Sequence, residues 1–296
     1  MIFRSPWNGF PDVAVQTTVP KLKSHPDYDA AKDGDQDAAL RVIAQVFKPG
    51  KVTDSCDLIV PVLQLDAGKQ NMLAIAYALR LGRELGAEVF LAVCQSNQVS
   101  HTGADATTRI LGQPTFVGQI EPGRRVVIVD DVATFGSTLA NLRGWIERQG
   151  AHVIRATTLG ATFGGTKLAQ SKDAFAKLLE KYSEVEILSR NLGFTPDCFT
   201  GRETHFLTQL PSEKMRALVA ASEKVRALLN PIGEYNHRMD QLLKDGLSTT
   251  DARKELEAKE PGLVLARDTQ TAIQRRAQLL ADRKASAQDQ KRGQRL

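Results

Sequence analysis

The stretch Val126 to Thr138, VVIVDDVATFGST, decides the reading of the chain. Four β-branched residues in a row, Val126, Val127, Ile128 and Val129, predict a short parallel strand buried on both faces, because such a strand has no solvent side to make polar. Asp130 and Asp131 close it. Val132, Ala133, Thr134, Phe135, Gly136, Ser137 and Thr138 then form a small, hydroxyl-rich turn. In the run that follows, Leu139, Leu142, Trp145 and Ile146 fall on one helical face. Two carboxylates therefore stand at the C-terminal end of a strand, and the turn beyond them opens a helix.

That arrangement suits a phosphorylated sugar. A helix N-terminus offers unpaired backbone N–H groups and the positive end of a dipole, and Gly136 permits a backbone shape that would strain other residues. Thr134, Ser137 and Thr138 add hydroxyl donors, while adjacent carboxylates can accept hydrogen bonds from neighbouring sugar hydroxyls or approach a metal-bound ribose. An acidic strand of this kind also occurs in P-loop ATPases, which need G-x-x-x-x-G-K-[ST] upstream. Ala67-Gly68-Lys69-Gln70 lacks the earlier glycine and the following hydroxyl, and GATFGGTK (160–167) does not put Lys directly after its second glycine.

The stretch resembles the phosphoribosyl-pyrophosphate signature of the type I phosphoribosyltransferases: a hydrophobic strand, two acidic residues, a few variable positions, then Gly-x-Thr. The resemblance covers roughly residues 55 to 190. It implies an α/β fold with an open, mainly parallel sheet flanked by helices and a helical C-terminal extension. It also implies that Ala133, Thr134, Phe135, Gly136, Ser137 and Thr138 receive the 5′-phosphate and that Asp130 and Asp131 receive the ribose hydroxyls. Mg²⁺ would be held mainly by the substrate's own oxygens, with Asp130 and Asp131 as its candidate contacts on the chain. Two positions depart from the pattern. Phe135 stands where the family commonly has a threonine, which removes a donor. Thr134 stands where the hypoxanthine and guanine enzymes carry an aspartate.

Outward from this unit, Asp57 to Leu63 (DLIVPVL) predicts a strand in which Pro61 argues for an edge or irregular position. A polar loop, Gln64 to Asn71, follows. In the resembled family this loop holds pyrophosphate through backbone amides and a basic residue, and Lys69 occupies the fitting place. A helix then carries Leu73, Ala76, Tyr77 and Leu81, and Glu88 to Val93 predicts a second strand. The long polar segment from Gln95 to Arg125 corresponds to the family's closing loop. His101, Thr102, Thr107, Thr108 and Arg109 are its candidate contacts, with Arg109 placed among the catalytic candidates beside Asp130 and Asp131.

Further strands are expected at His152–Leu159 and Val185–Leu188, with a helix at Lys172–Tyr182 between them. Phe163 is a candidate for base stacking, although an aromatic after a strand more often packs. Residues 1 to 24 read as extended structure and loop. Residues 25 to 47 read as a small helical unit with Ala38, Ala39, Val42, Ile43 and Val46 in register, a candidate hood over the base. Within it, Lys32, Asp33 and Asp35 read first as a capped helix with solvated charges. Arg202 and His205 read first as part of a turn leading to the next helix.

The division is then 1–50, an N-terminal segment; 51–210, the core; and 211–296, a helical, basic extension with a disordered end. Helices are expected from Ser212, over Tyr235–Lys244 and Asp251–Lys259, and from about Asp268 to Lys284. The chain has 296 residues and a net charge of +5, with 42% hydrophobic and 25% charged residues, an ordinary globular composition. From Arg267 onward, eight Lys or Arg oppose three Asp, so the charge lies in the tail. That tail reads as a solvated helix or as a contact for nucleic acid or a protein partner, and the extension as a dimerisation arm. No apolar run reaches the ~18 residues that span a bilayer, the N-terminus has no signal-peptide core, and Cys56, Cys94 and Cys198 make no metal or CxxC spacing. A cytoplasmic protein without membrane contact is expected.

The sequence is compatible with two functions. One is transfer of a phosphoribosyl group from phosphoribosyl pyrophosphate to a nucleobase or base-like acceptor. The other is a non-catalytic regulatory protein that binds phosphoribosyl pyrophosphate or a nucleotide.

Overall fold

The computed structural model describes residues 4–64, 70–97, 105–229, 231–259 and 264. Lys69, His101, Thr102 and the expected helix over 268–284 lie outside them, as does the basic tail. Two compact units divide the chain, Met1–Ser222 and Glu223–Leu296.

The first unit is built on a five-stranded sheet. Its strands are β1 (Ala14–Val15), β2 (Leu58–Pro61), β3 (Glu88–Val89), β6 (Arg125–Ala133) and β7 (His152–Ala161), in the order β1-β7-β6-β2-β3. Every pairing is parallel. β6 is central, which explains its apolar run: Val126, Val127, Ile128 and Val129 are fully buried. The pleat divides them. Val126 and Ile128 join Leu58, Val60 and Ala156 in a core completed by Leu139, Leu142 and Ile146 of α6 (Ser137–Arg148) and by Trp7 and Phe10. Val127 and Val129 join Ile59 and Leu159 against α1 (Val19–Lys23), α2 (Tyr28–Lys32), α3 (Gln36–Val46) and α4 (Met72–Leu85). Each fully buried valine of this kind contributes about 1.5–3 kcal/mol.

The expected helices around the sheet are present. α3 buries the five residues read as its apolar face, and Asp35 caps it by accepting from the Ala38 N–H at 2.9 Å. Asn71 caps α4 in the same way, and Gly86 ends that helix in the left-handed region at φ 64°. α7 spans Lys172–Lys181.

Several expectations are corrected. Pro61 does not mark an edge: β2 lies between β6 and β3. The Val62 N–H bonds to Val129, so by alternation Pro61 would have donated on the opposite side, where β3 has already ended after its pairing at Ile59. Glu88–Val93 is not one strand. β3 stops at Val89, and Cys94–Gln95 (β4) instead pairs antiparallel with Phe116–Val117 (β5) in a separate ribbon. The loop between them carries a short helix, α5 (Ala106–Leu111). Residues 1–24 contribute β1 and α1. Val185–Leu188 belongs to a helix, α8 (Val185–Leu192), whose buried Val185, Leu188 and Leu192 follow helical spacing and whose end is set by Gly193 at φ 91°. Beyond a 3-10 turn at Pro196–Cys198, residues 201–209 form α9 (Gly201–Gln209), opened by a capping box of Thr200 and Glu203.

α10 (Ser212–Leu229) leaves the first unit. In the second, α11 (Pro231–Lys244) and α12 (Thr249–Lys259) pair around Tyr235, Met239, Ala252, Leu256 and Val264.

Candidate functional site

The turn between β6 and α6 is braced from behind. The Ala133 carbonyl accepts from the Thr162 N–H at 2.9 Å, and the Phe135 carbonyl from the Thr200 hydroxyl at 2.6 Å. The Thr134 carbonyl meets the Thr162 hydroxyl at 3.5 Å, and the Gly136 carbonyl takes the Ala140 N–H at 2.9 Å. In a trans peptide the next N–H points opposite to the carbonyl. The N–H groups of Thr134, Phe135, Gly136 and Ser137 are thus turned away from the bracing residues. Among the described residues none of them meets an acceptor.

Two glycines make this geometry attainable. Gly136 sits at φ 79° as the N-cap of α6, and a Cβ there would lie 2.4 Å from Leu168 Cδ2. At Gly165, a Cβ would lie 2.5 Å from the Ala133 carbonyl oxygen, so the 162–165 turn can approach only without a side chain. Ser137 opens α6, whose first-turn N–H groups have no partner within the helix. An anion placed there would meet aligned donors and the helix dipole.

Phe135 points away from the N–H groups, as its bulk requires. Its ring meets Phe206 edge-on at 5.9 Å, with the Arg202 guanidinium 5.9 Å from its centroid. Ser137 does not offer its hydroxyl outward: the side chain is buried and donates to Glu203 Oε1 at 2.6 Å. Thr134 and Thr138 are half-buried, and neither hydroxyl has a partner among the described residues.

Beneath the turn lies a buried ionic network absent from the sequence-based expectations. Arg4 and Glu203 are both fully buried and pair through two bonds, 2.7 and 3.0 Å. Arg4 also donates to Asn141 Oδ1 at 2.6 Å and Gln113 Oε1 at 2.9 Å, while Glu203 accepts from the Thr200 N–H at 2.8 Å. Burial pushes the Glu203 carboxyl up, but Arg4, Ser137 and Thr200 more than offset it and hold it below the ordinary range. One carboxylate therefore ties together Arg4, the start of α6 and the start of α9. The T-x-x-E spacing of Thr200 and Glu203 is the one local signal of it.

The acidic pair lies near the end of the same strand, which does not close at the aspartates but runs on through Val132 and Ala133 in register with Gly160 and Ala161. The pleat directs Asp131 to the face that carries α2, and there Lys32 reaches it: Nζ lies 2.6 Å from Asp131 Oδ2. Lys32 is thus a buried-edge partner rather than a solvated charge. Burial pushes Asp131 up, but Lys32 and then Asn71 hold it below the usual carboxylate range. Asp130 goes the other way, raised well above that range by burial and by the Asp131 charge beside it. Asp130 Oδ1 accepts from the Asp131 N–H and Asp131 Oδ1 from the Val132 N–H, each at 2.8 Å.

The structure thus brings Ala133 to Thr138, Asp130 and Asp131 together at one end of β6. Arg109 lies on α5, half-buried, with its pKa lowered by desolvation; the cation beside the acidic pair is Lys32. Thr107 and Thr108 lie exposed on the same short helix, where the Thr108 N–H and side chain and the Thr107 N–H all bond the Asp105 cap. Phe163 is 92% exposed and does not pack. Among the described residues no cluster of three His, Cys, Asp or Glu side chains could hold a metal ion, and no helix is long and apolar enough to cross a membrane.

Comparison with known proteins gives the following. No family model matches the chain. It is 33% identical over 229 residues to Protein TraN of Escherichia coli, which covers 74% of this chain and 51% of that protein. It is 32% identical over 154 residues to an uncharacterised protein of Haemophilus influenzae, covering 49% of this chain and 34% of that one. The chain thus spans about half the length of the first relative and a third of the second. Among solved structures, adenine phosphoribosyltransferase from Saccharomyces cerevisiae is 18% identical, with 37% of this chain and 60% of that chain covered and a TM-score of 0.27. The Rhodothermus marinus enzyme is 20% identical, with 55% and 83% covered and a TM-score of 0.26. At such TM-scores the likeness does not establish the fold; the α/β architecture rests on the sheet itself. The chain is similar to these proteins, and the five-stranded parallel sheet flanked by helices is what it shares with its sequence-based expectation.

Proposed function

We propose that the first unit binds phosphoribosyl pyrophosphate and transfers its phosphoribosyl group to a nucleobase or base-like acceptor, releasing pyrophosphate. The observation that carries this reading is the turn of residues 134–138, whose carbonyls are tied back and whose N–H groups are left facing outward beside two carboxylates. The N–H groups of Thr134 to Ser137, with the Thr138 hydroxyl, hold the 5′-phosphate. Asp131 and Asp130 accept from the ribose hydroxyls. Magnesium travels with the diphosphate of the ligand, a hard ion keeping most of its own waters.

In the reaction, the acceptor nitrogen bonds to the anomeric carbon as the bond to the diphosphate oxygen breaks, and positive charge develops on the ribose ring. The chain's work is to fix the phosphate and the diol so that this carbon is held in line between the two. Lys69 and Arg109 are the candidates for the departing diphosphate. The test is to incubate the full chain with phosphoribosyl pyrophosphate and a panel of bases and to measure released pyrophosphate. Release that depends on one base, and that Asp130→Asn/Asp131→Asn abolishes, supports the reading.

A second reading is favoured by Phe135, which packs on Phe206 instead of supplying a hydroxyl. It is a regulatory protein that binds the same ligand without turnover and uses its basic C-terminal tail on nucleic acid or a protein partner. Ligand binding with no pyrophosphate release from any base would select it.

A further inference from the structure

Of the four carboxylate oxygens in the acidic pair, three already have donors within the chain. Asp130 Oδ1 accepts from the Asp131 N–H and Asp131 Oδ1 from the Val132 N–H. Asp131 Oδ2 receives Lys32 Nζ at 2.6 Å, on a carboxylate side chain that is only 10% exposed. The two carboxyls are also hydrogen-bonded to each other, and Asn71 reaches Asp131 as well. A divalent ion asks for several hard oxygens at once, close to 2.1 Å for magnesium, and it repels an ammonium held that near. The donor set does not fit a metal ion at this pair.

Lys32 is placed by the fold rather than by chance of rotamer. It is the last residue of α2, whose Tyr28 and Ala31 are buried in the core that also takes Val127 and Val129 of β6. The strand that presents Asp131 and the helix that presents Lys32 are thus parts of one packed layer. The Lys32 side chain is 31% exposed, so it sits at the rim, where a sugar diol can still approach Asp131 from the solvent side.

We propose that Lys32 is the resident cation of the acidic pair, standing where a divalent ion would otherwise bind, so that the chain takes the ribose hydroxyls of its ligand without a metal at Asp130 or Asp131. This rests on the function proposed above and specifies the charge that the site supplies itself. Lys32 is a charge-compensating and positioning residue: it holds Asp131 ionised and oriented as an acceptor.

The test uses the full chain and two probes. Ribose 5-phosphate carries the phosphate and the diol but no diphosphate to bring its own magnesium. Manganese, followed by its paramagnetic resonance, reports metal binding with no sugar present. The variants are Lys32→Met, Lys32→Gln and Lys32→Arg, each checked by circular dichroism. Wild type and Lys32→Arg are expected to bind ribose 5-phosphate equally with magnesium or with chelator, and to bind no manganese at the pair. In Lys32→Met and Lys32→Gln, manganese binding should appear and magnesium should raise ribose 5-phosphate affinity about tenfold.

Manganese bound by the wild type and lost in Asp130→Asn/Asp131→Asn would overturn the proposal, as would metal-dependent sugar binding by the wild type. So would Lys32 variants that are folded yet gain no metal. Absence of ribose 5-phosphate binding in every form would instead count against the proposed function, while the manganese arm still decides the role of Lys32.

Discussion

Replacing Glu203 by Gln tests whether the buried network is what holds the turn between β6 and α6 in place. Glu203 and Arg4 are both wholly inaccessible, and the two carboxylate oxygens accept four donors: two from Arg4, the Ser137 hydroxyl and the Thr200 N–H. Glutamine keeps one acceptor and turns the other into a donor that faces donors. Arg4 would remain charged with only the neutral oxygens of Asn141, Gln113 and Cys198 around it. Breaking a buried pair from one side costs about 3–5 kcal/mol, a large part of the ~5–15 kcal/mol that a domain has in total. For a unit of this size that lowers the melting temperature by about 6–20 °C.

Urea denaturation should show the midpoint falling with little change in slope. The loss should depend on pH in a definite direction. The Glu203 carboxyl is held below its ordinary 4.5, so its contribution is complete above that value and disappears as pH falls through the lower folded-state value. The gap between wild type and Glu203→Gln therefore narrows in acid. Arg4→Met/Glu203→Met, which removes both charges, should be less unstable than the sum of the single variants by more than about 1 kcal/mol. A Glu203→Gln protein within about 1 kcal/mol of wild type, or an additive double variant, would refute the assignment.

Three other outcomes follow from the geometry. Gly136→Ala combines a left-handed residue, about 1–2 kcal/mol, with a Cβ 2.4 Å from Leu168, about 1–3 kcal/mol more, and should also weaken ribose 5-phosphate binding in calorimetry. Asp130→Asn and Asp131→Asn should move stability in opposite senses, read from melting temperatures across pH. The Asp130 carboxyl is raised, so the wild type loses stability as pH rises through its folded-state value, and Asp130→Asn gains on it there. Asp131 is lowered, so Asp131→Asn is less stable near neutrality, and the deficit closes as pH falls. Thr200→Val removes both the cap of α9 and the bond to the Phe135 carbonyl, and should cost about 0.5–2 kcal/mol in urea titrations.

The centre of this fold was legible because its signals are local. A strand buried on both faces must be apolar throughout, so Val126 to Val129 announced a central parallel strand, and the turn after it announced a helix start. β1 was not legible: Ala14 and Val15 become a strand only through their register with Thr157 and Thr158, far along the chain. Val185-Glu186-Ile187-Leu188 is a short apolar run that fits a strand or a helix, yet Leu192 and the left-handed Gly193 reveal a helix once the longer window is read. The turn itself was identified from its residue types, whereas the bracing by Thr162 and Thr200 depends on contacts 28 and 65 residues away. Arg4 and Glu203 meet across 199 residues, and Lys32 and Asp131 across 99, and no periodicity records such a pairing. Charged residues in helices mostly face water, so Lys32 in isolation gives that reading.

The central claim is that residues 130–138 form one site for a phosphorylated pentose. Calorimetric titration of phosphoribosyl pyrophosphate into the wild type and into Asp130→Asn/Asp131→Asn tests it most directly. The account predicts saturable binding to the wild type and its loss in the folded double variant. A wild type that takes up no ligand, or a double variant that binds equally well, would contradict it.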